Sequence, residues 1–247
     1  MPRNSFNERF FKVIDSEIKA YLLGFIYADG TISFNNDKGD FRLQVAVTES
    51  DRDILELFKA NLYPDSNIGT CPARNNTFNQ KTYLSKPWCY FRIHSKVLVE
   101  DLMSHGVLPR KTYKTFGLPK LNENLMRHFI RGYFDGDGTV SLSVAIRQDK
   151  TKELVVNRSF SIISKNPDIL YEIQDFLKKS DIKSSIRGDG KRNYVISSHA
   201  LLDIQKLYYF LYENSNYFFK RKQEKFKQTL ITSSAAKAQK LLSVCNA

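Results

Sequence analysis

Residues Gly24–Ser33 read GFIYADGTIS, and residues Gly132–Ser141 read GYFDGDGTVS. Gly24/Gly132, Asp29/Asp137, Gly30/Gly138, Thr31/Thr139 and Ser33/Ser141 are identical, and most other positions are small or apolar in both copies. The copies lie 108 residues apart (137 − 29) in a chain of 247. A repeat at nearly half the chain length points to two related halves, 1–116 and 117–247, rather than one large domain.

Each copy closes a helix. Ile18, Tyr21, Leu22, Phe25 and Ile26 recur at helical spacing behind Asp15 or Ser16, either of which can cap. In the second half, NENLMRHFIRGYFD starts a helix at Asn122. Glycine and a strand-like stretch end both helices. Gly24 and Ala28 are four apart, as are Gly132 and Gly136, and small residues at that spacing let two helix backbones approach closely. If the two helices pack in parallel, Asp29 and Asp137 come side by side at their C-terminal ends. Paired carboxylates repel, and a helix C-terminus already carries partial negative charge. A divalent cation resolves the conflict. Mg2+ prefers carboxylates, carbonyls and water, so Asp29 and Asp137, with the terminal carbonyls of Ala28 and Gly136, form a candidate site. Such a site stabilises the attacking and leaving oxygens of a phosphodiester displacement. For a single copy, an Asp-Gly turn would be the simpler reading.

The rest of each half follows the order α-β-β-α-β-β-α. In the first, DFRLQVAVT alternates, with Phe41, Leu43, Val45 and Val47 on one face and Arg42, Gln44, Ala46 and Thr48 on the other. SDRDILELFKANL is an amphipathic helix capped by Ser50 or Asp51. Strands follow near 67–74 and 88–94, the second with Phe91 and Ile93 inward and Tyr90, Arg92 and His94 outward. SKVLVEDLMSHG is a helix ending in glycine. In the second half, GTVSLSV and VNRSFSII are strands and NPDILYEIQDFLKK is a helix with Pro in its first turn. SIRGDGKRNYVIS is a hairpin on a Gly-Asp-Gly turn, and SHALLDIQKLYYFL is a helix. A basic helical stretch begins at YFFKRKQEKFKQ. Helices and strands thus follow one another in the same α+β order in both halves.

The chain has 38 Lys and Arg against 26 Asp and Glu, a net charge of +12, which favours a polyanionic partner such as nucleic acid. A hydrophobic content of 42% predicts a folded core. No stretch reaches the about 18 consecutive apolar residues of a membrane span, and the N-terminus lacks a signal-peptide core. Cys71, Cys89 and Cys245 are scattered and show no zinc spacing, which points to a reducing, cytoplasmic setting, bacterial or phage-encoded.

LLGFIYADG (Leu22–Gly30) and IRGYFDGDG (Ile130–Gly138) resemble the paired motifs of the single-chain LAGLIDADG homing endonucleases, and the order of elements extends the resemblance over nearly the whole chain. The resemblance implies a pseudo-two-fold α+β monomer in which each half lays a curved antiparallel sheet on double-stranded DNA, as a saddle, with the motif helices at the domain interface. It implies catalytic Mg2+ at Asp29 and Asp137, Mn2+ as a substitute, and Ca2+ supporting binding without cleavage. The sixth motif position, Tyr27 or Asp135, is not a metal position in the family, so Asp135 is expected to cap or hydrogen-bond. The family places a polar residue after the second strand of each half: Glu49 matches in VTESDRDIL and Ser164 in IISKNPDIL. Serine there is a poor water-positioning group, so the two DNA strands are expected to be cut unequally. Its basic residue near the scissile phosphate corresponds to Lys111 in LPRKT and to Lys222 in FKRKQ, with Lys220 close by.

The outward sheet residues Ser33, Asn35, Arg42, Gln44, Arg92, Asn157, Ser159 and Ser161 suit major-groove readout, where Arg reads guanine and Asn or Gln reads adenine. Val195 could touch thymine methyls. Loops carrying Lys38, Arg74, Lys81, Arg147, Arg187, Lys191, Arg192 and Asn193 would reach phosphates and outer bases. Unequal halves predict a long, asymmetric target whose central base pairs are read through deformability. The four histidines are dispersed, and neither a His-Asn-His finger nor a Gly-Ile-Tyr motif occurs. The alternatives are an intron-RNA maturase of the same fold or a DNA-binding regulator that no longer cleaves. An intein is disfavoured because the chain runs from Met-Pro to Cys-Asn-Ala with no splicing domain around the repeats. The expectation is a free-standing enzyme.

Overall fold

In a computed structural model of the chain, the described residues are 6–35, 37, 39–78, 81–109, 117–148, 153–188 and 193–234. Both motifs fold as a helix that runs straight into a strand. The first is α1 (Glu17–Asp29) followed by β1 (Gly30–Asn35), and the second is α4 (Glu123–Asp137) followed by β7 (Gly138–Ile146). Gly30 has φ −75° and ψ 146°, so it is not a left-handed cap, contrary to the expectation of a C-cap glycine. Its reason is space: a Cβ at Gly30 would lie 2.7 Å from Ile26 Cγ2 and from the Ile26 carbonyl, and one at Gly138 would run into the Phe134 ring. Glycine lets the strand leave within one residue of the helix.

The chain divides into two compact units: Met1–Lys114 with Pro119–Gly132, and Thr115–Leu118 with Tyr133–Ala247. In the first unit, β2 (Asp40–Thr48), α2 (Asp53–Leu62), β3 (Gly69–Cys71), β6 (Trp88–His94) and α3 (Lys96–Ser104) complete the frame. Its antiparallel sheet has the order β1-β2-β6-β3. Gly30 pairs with Val45, and Val45 with Phe91. Leu43, Val45, Phe91 and Ile93 alternate into a core closed by Ile54, Leu55 and Phe58 of α2 and Leu98, Val99 and Leu102 of α3. Phe58 meets Phe25 of α1 and Phe91 of the sheet, each at 6.1 Å between ring centres. All of α1 from Ala20 to Ala28 is buried, so this helix is apolar all round rather than striped.

The second unit repeats the order with β8 (Leu154–Ser164), α5 (Pro167–Lys179), β9 (Ser185–Gly188), β10 (Tyr194–Ser198), α6 (Leu201–Tyr212) and α7 (Lys220–Thr229). Its sheet order is β7-β8-β10-β9, the same path as in the first unit. Gly138 pairs with Ile162, and Ile162 with Ile196. Phe134 stacks on Phe160 at 4.8 Å, and Phe226 of α7 packs beside both. Within the basic KRKQEKFKQ run, Lys222 and Phe226 share one buried helical face. The basic stretch thus closes the core of its unit.

Three local expectations change. The ARNNTFNQK segment, read as a loop, contributes β4 (Asn75–Phe78) and β5 (Lys81–Leu84), an extra hairpin outside the main sheet. Neither Ser50 nor Asp51 caps α2; they lie in a short 3-10 turn, Glu49–Asp51, and Arg52 precedes the helix without a side-chain cap bond. Ser16 occupies the N-cap of α1, also without a side-chain bond. By contrast, Ser95 accepts from the Leu98 N–H at α3, and Asn166 from the Asp168 N–H at α5, where Pro167 opens the helix as read. Among the described residues no helix is long and apolar enough to cross a membrane.

Candidate metal ends and nucleic-acid faces

The first half of α4 belongs to the first unit and crosses α1 there. A Cβ at Gly132 would collide with the Tyr21 carbonyl and come within 2.9 Å of the Phe25 nitrogen, so backbone meets backbone at this point. Gly24 is buried in α1. The crossing is fastened by a buried ion pair. Arg131, fully buried, donates from Nη2 to Glu17 Oε1 at 2.7 Å and from Nη1 to His128 Nδ1 at 2.9 Å, and its guanidinium lies 5.3 Å from the Tyr21 ring centre. Burial, then the neighbouring Arg131 charge, pushes the His128 pKa down to about 4. Sequence reasoning missed this cluster because Glu17 lies 114 residues from Arg131.

At the end of α1, Asp29 is exposed and Ala28 is buried at its edge. At the end of α4, Asp137 and Gly136 are half-buried. Each end offers a carboxylate and a terminal carbonyl, an all-oxygen donor set that suits Mg2+ and leaves room for water. Among the described residues no group of three or more His, Cys, Asp or Glu side chains is placed to hold a metal ion.

Lys222, expected beside a phosphate, is engaged within its own unit. Nζ donates to the carbonyls of Phe134 at 2.9 Å, Asp135 at 2.7 Å and Gly136 at 3.3 Å, and the residue is 9% exposed. A buried cation therefore caps the carbonyl end of α4, where the helix dipole is negative. Because a carbonyl has two lone pairs, Gly136 can accept this bond and still face a cation. Asp135 is buried as a tie: Oδ2 accepts from the Phe219 N–H at 2.8 Å and Oδ1 from the Tyr212 hydroxyl at 3.3 Å. Hydrogen bonding was the expectation for this residue. Tyr27, at the same motif position in the first unit, donates its hydroxyl to the His105 carbonyl at 2.5 Å. In both copies the sixth position anchors its motif helix to the end of its own unit. Lys111 lies outside the described residues.

Glu49 is held by Arg52, whose Nη1 donates to Oε1 at 3.1 Å. Burial, reinforced by Glu49, pushes the Cys89 thiol up to about 11. Ser164 Oγ accepts from the Asn166 N–H at 3.1 Å and forms a hydrogen bond with the Tyr133 phenol. Burial raises the Tyr133 pKa, with a smaller contribution from Asp137. Matching the Asp-Ile-Leu segments pairs Glu49 with Ser164, but strand register does not. Val45 pairs with Gly30 and Ile162 with Gly138, so the residue four beyond Ile162 corresponds to Glu49. That residue is Asn166, buried and committed to capping α5. The two-residue difference is absorbed by the 3-10 turn, which sequence matching could not see.

The exposed faces of the two sheets differ. On the first, Ser33, Arg42, His94, Gln44 and Arg92 fall in register across β1, β2 and β6. Arg42 Nε donates to Ser33 Oγ at 3.2 Å, and Arg92 donates to Gln44 Oε1 from Nε at 2.9 Å and Nη2 at 2.7 Å. Asn35, paired with Asp40, is exposed at the strand end. On the second, Asn157, Ser159 and Ser161 pair with Ser143, Ser141 and Thr139, and the Ser141 and Ser159 hydroxyls are 2.8 Å apart. Val195 pairs with Ile163 and with exposed Arg187. Arg74, Arg147 and Asn193 are exposed beside strand ends. Lys81 lies in β5, and Lys38, Lys191 and Arg192 lie outside the described residues.

Residues 124–237 match the family described as a LAGLIDADG-like domain. Over 91% of this chain the fold is similar to 90% of the I-LtrWI LAGLIDADG homing endonuclease bound to target DNA, at 15% identity and a TM-score of 0.60. It is similar to the LAGLIDADG meganuclease I-CpaMI bound to uncleaved DNA, with 94% and 98% coverage, 15% identity and a TM-score of 0.58. For I-SmaMI bound to an uncleaved DNA target with calcium ions the values are 88% and 92%, 14% and 0.56. In sequence the chain is 27% identical over 179 residues, 72% of its length, to the uncharacterized protein MJ0314 of Methanocaldococcus jannaschii, and this match spans only 60% of that relative. The resemblance read from the two motifs is thus matched by a LAGLIDADG-like family model over residues 124–237 and by a fold similar, over nearly the whole chain, to that of LAGLIDADG homing endonucleases.

Proposed function

We propose that the chain is a monomeric, site-specific endonuclease that hydrolyses both strands of a long, asymmetric DNA duplex with Mg2+, as in intron homing. The observation that carries this reading is the paired motif end. In each unit a helix delivers an aspartate and a terminal carbonyl, then passes without a loop into the first strand of a four-stranded sheet. Proteins of this fold are seen on target DNA, one of them with calcium ions.

Asp29 with the Ala28 carbonyl, and Asp137 with the Gly136 carbonyl, would hold the metal. When bound, Mg2+ supplies Lewis-acid stabilisation of the attacking and leaving oxygens. Lys222 keeps the end of α4 closed by three carbonyl bonds and so fixes where Asp137 is presented. Glu49 is partly exposed and can orient a water, whereas its register counterpart Asn166 is buried and occupied by a helix cap. On this reading the two strands are cut at unequal rates. The exposed sheet faces and basic loops contact the duplex, consistent with a net charge of +12.

The test is a randomised duplex library incubated with the protein in Mg2+ and, in parallel, in Ca2+, followed by sequencing of the cut ends. Mg2+-dependent ends within one asymmetric consensus are expected. Asp29→Asn and Asp137→Asn should each abolish double-strand cleavage while leaving Ca2+-supported binding within a few-fold. Binding with no ends would replace the endonuclease reading with that of a regulator or an RNA-splicing cofactor.

A further inference from the structure

On the first sheet, Arg92 already occupies one fixed pose. Its Nε–H and one Nη2–H converge on Gln44 Oε1 at 2.9 and 2.7 Å, and its guanidinium lies 4.6 Å from the Tyr90 ring centre. Tyr90 is in turn braced by Trp88, at 5.6 Å between ring centres. A guanidinium has five N–H donors. Two are spent on Gln44, which leaves donors on Nη1 and Nη2 along the other edge of the fork. That edge matches the O6 and N7 acceptors of guanine. The long side chain is ordered before binding, so less conformational freedom is lost on contact.

On the second sheet the outward positions of β7 and β8 carry hydroxyls, one carboxamide and apolar groups, and the exposed arginine of that face, Arg187, lies on the edge strand β9 in register with Val195. Ser141 and Ser159 are hydrogen-bonded to each other. A hydroxyl rotates to donate or accept and so contacts any base edge without choosing among them.

We infer that the Tyr90–Arg92–Gln44 unit selects a guanine in the half-site facing the first sheet, while the base pairs facing the hydroxyl-bearing strands β7 and β8 of the second sheet tolerate substitution. This rests on the proposed function, since it presupposes a duplex on both faces.

The experiment is site selection from the randomised duplex in Ca2+ with four proteins: wild type, Arg92→Ala, Arg92→Lys and the double variant Ser141→Ala/Ser159→Ala. Wild type should show a strong guanine preference in one half and weak preferences at the positions facing β7 and β8 in the other. Arg92→Ala should flatten a guanine preference at one position, a loss of about 5- to 150-fold in discrimination. Arg92→Lys should lose that preference too, since the charge remains but the fork does not. The serine variant should change no position by more than about two-fold. Strong preferences at the positions facing β7 and β8, an unchanged guanine preference in Arg92→Ala and Arg92→Lys, or a serine variant that flattens a position as strongly as Arg92→Ala would each overturn the inference and leave the endonuclease reading standing. A wild-type protein that selects no duplex would overturn both.

Discussion

Replacing Lys222 by methionine separates two roles that a lysine at this place could have. Its Nζ reaches three successive carbonyls at the end of α4, and it also lies 5.3 Å from the Phe134 ring centre. Methionine keeps the stem and its contact with the ring, and removes only the donors and the charge. Two of the carbonyls belong to buried residues, Phe134 and Asp135, where a stranded acceptor costs about 1–3 kcal/mol. Loss of the cation from a partly buried helix C-terminus costs up to about 2 kcal/mol more. Against this stands relief of the ammonium's own desolvation, which is several kcal/mol for an unpaired ion but is already offset here by three acceptors and the dipole. The balance is a loss of about 2–4 kcal/mol.

Urea unfolding, followed by circular dichroism, reads that loss as a lower midpoint at constant slope. Cleavage at saturating Mg2+ should fall as well, because the helix end that presents Asp137 is loosened. The salt dependence of binding should stay as in wild type, since a capped lysine neutralises no phosphate. A Lys222→Met protein as stable as wild type within about 0.5 kcal/mol, with a salt slope shallower by about one, would refute the cap and restore the phosphate-contact role.

Further perturbations address the crossing of α1 and α4 in the first unit. His128 carries a folded-state pKa of about 4 against an ordinary 6.5, so the unfolded chain binds the extra proton between those values. Its contribution is full above pH 6.5 and is lost as pH falls toward 4, by about 3 kcal/mol, and His128→Gln should flatten that part of the stability profile measured by urea titration. Glu17→Gln leaves the buried Arg131 charge without its carboxylate and should cost about 3–5 kcal/mol, read as a lowered urea midpoint. Gly132→Ala drives a methyl into the Tyr21 carbonyl and should cost about 1–3 kcal/mol or more. Gly39→Ala, where φ is +61° and no atom lies within 4 Å, should cost only the backbone strain, about 1–2 kcal/mol.

The strands, the helix order and the sheet-facing residues were legible because they depend on local periodicity. Phe91 and Ile93 alternate with Tyr90 and Arg92 in the sequence, and they do so on the sheet. Gly132 was legible as room for a helix backbone to approach, whereas Gly30 and Gly138 were legible only as helix ends. Gly30 and Gly138 clear a side chain at a helix-to-strand corner, while Gly132 clears a backbone. The identity of the corner depends on which residue sits four places back in a folded helix. What stayed hidden was the distant partner of each buried polar side chain. Lys222 and Phe134 are 88 residues apart, so nothing local distinguishes a capping lysine from a phosphate-binding one. The same holds for Glu17 with Arg131. Glu49 and Ser164, matched on a shared tripeptide, fall two places apart in strand register for a different reason. Two sequences can be aligned on a shared tripeptide and still be out of step by the length of one turn, and only the hydrogen-bond register of the sheet reveals it.

The sixth motif position shows what duplication in one chain permits. Tyr27 and Asp135 both fasten a motif helix to the close of its own unit, yet one does so as a donor to a carbonyl and the other as an acceptor from an amide and a phenol. In a homodimer one residue type would have to serve both copies, because the interface is self-complementary. A tandem repeat lifts that constraint, so each copy solves the same anchoring problem with the chemistry its own segment offers. The argument extends to the sheets. Nothing obliges a hydroxyl face and an arginine-centred face to resemble each other once they are encoded separately. The parts that remain alike are those that geometry dictates in both units: an aspartate at the last helical residue, a glycine at the first strand residue and the same path of strands. Divergence in the faces and identity at the motif ends are what selection would leave if the ends shared one chemical task and the faces met two different halves of one target.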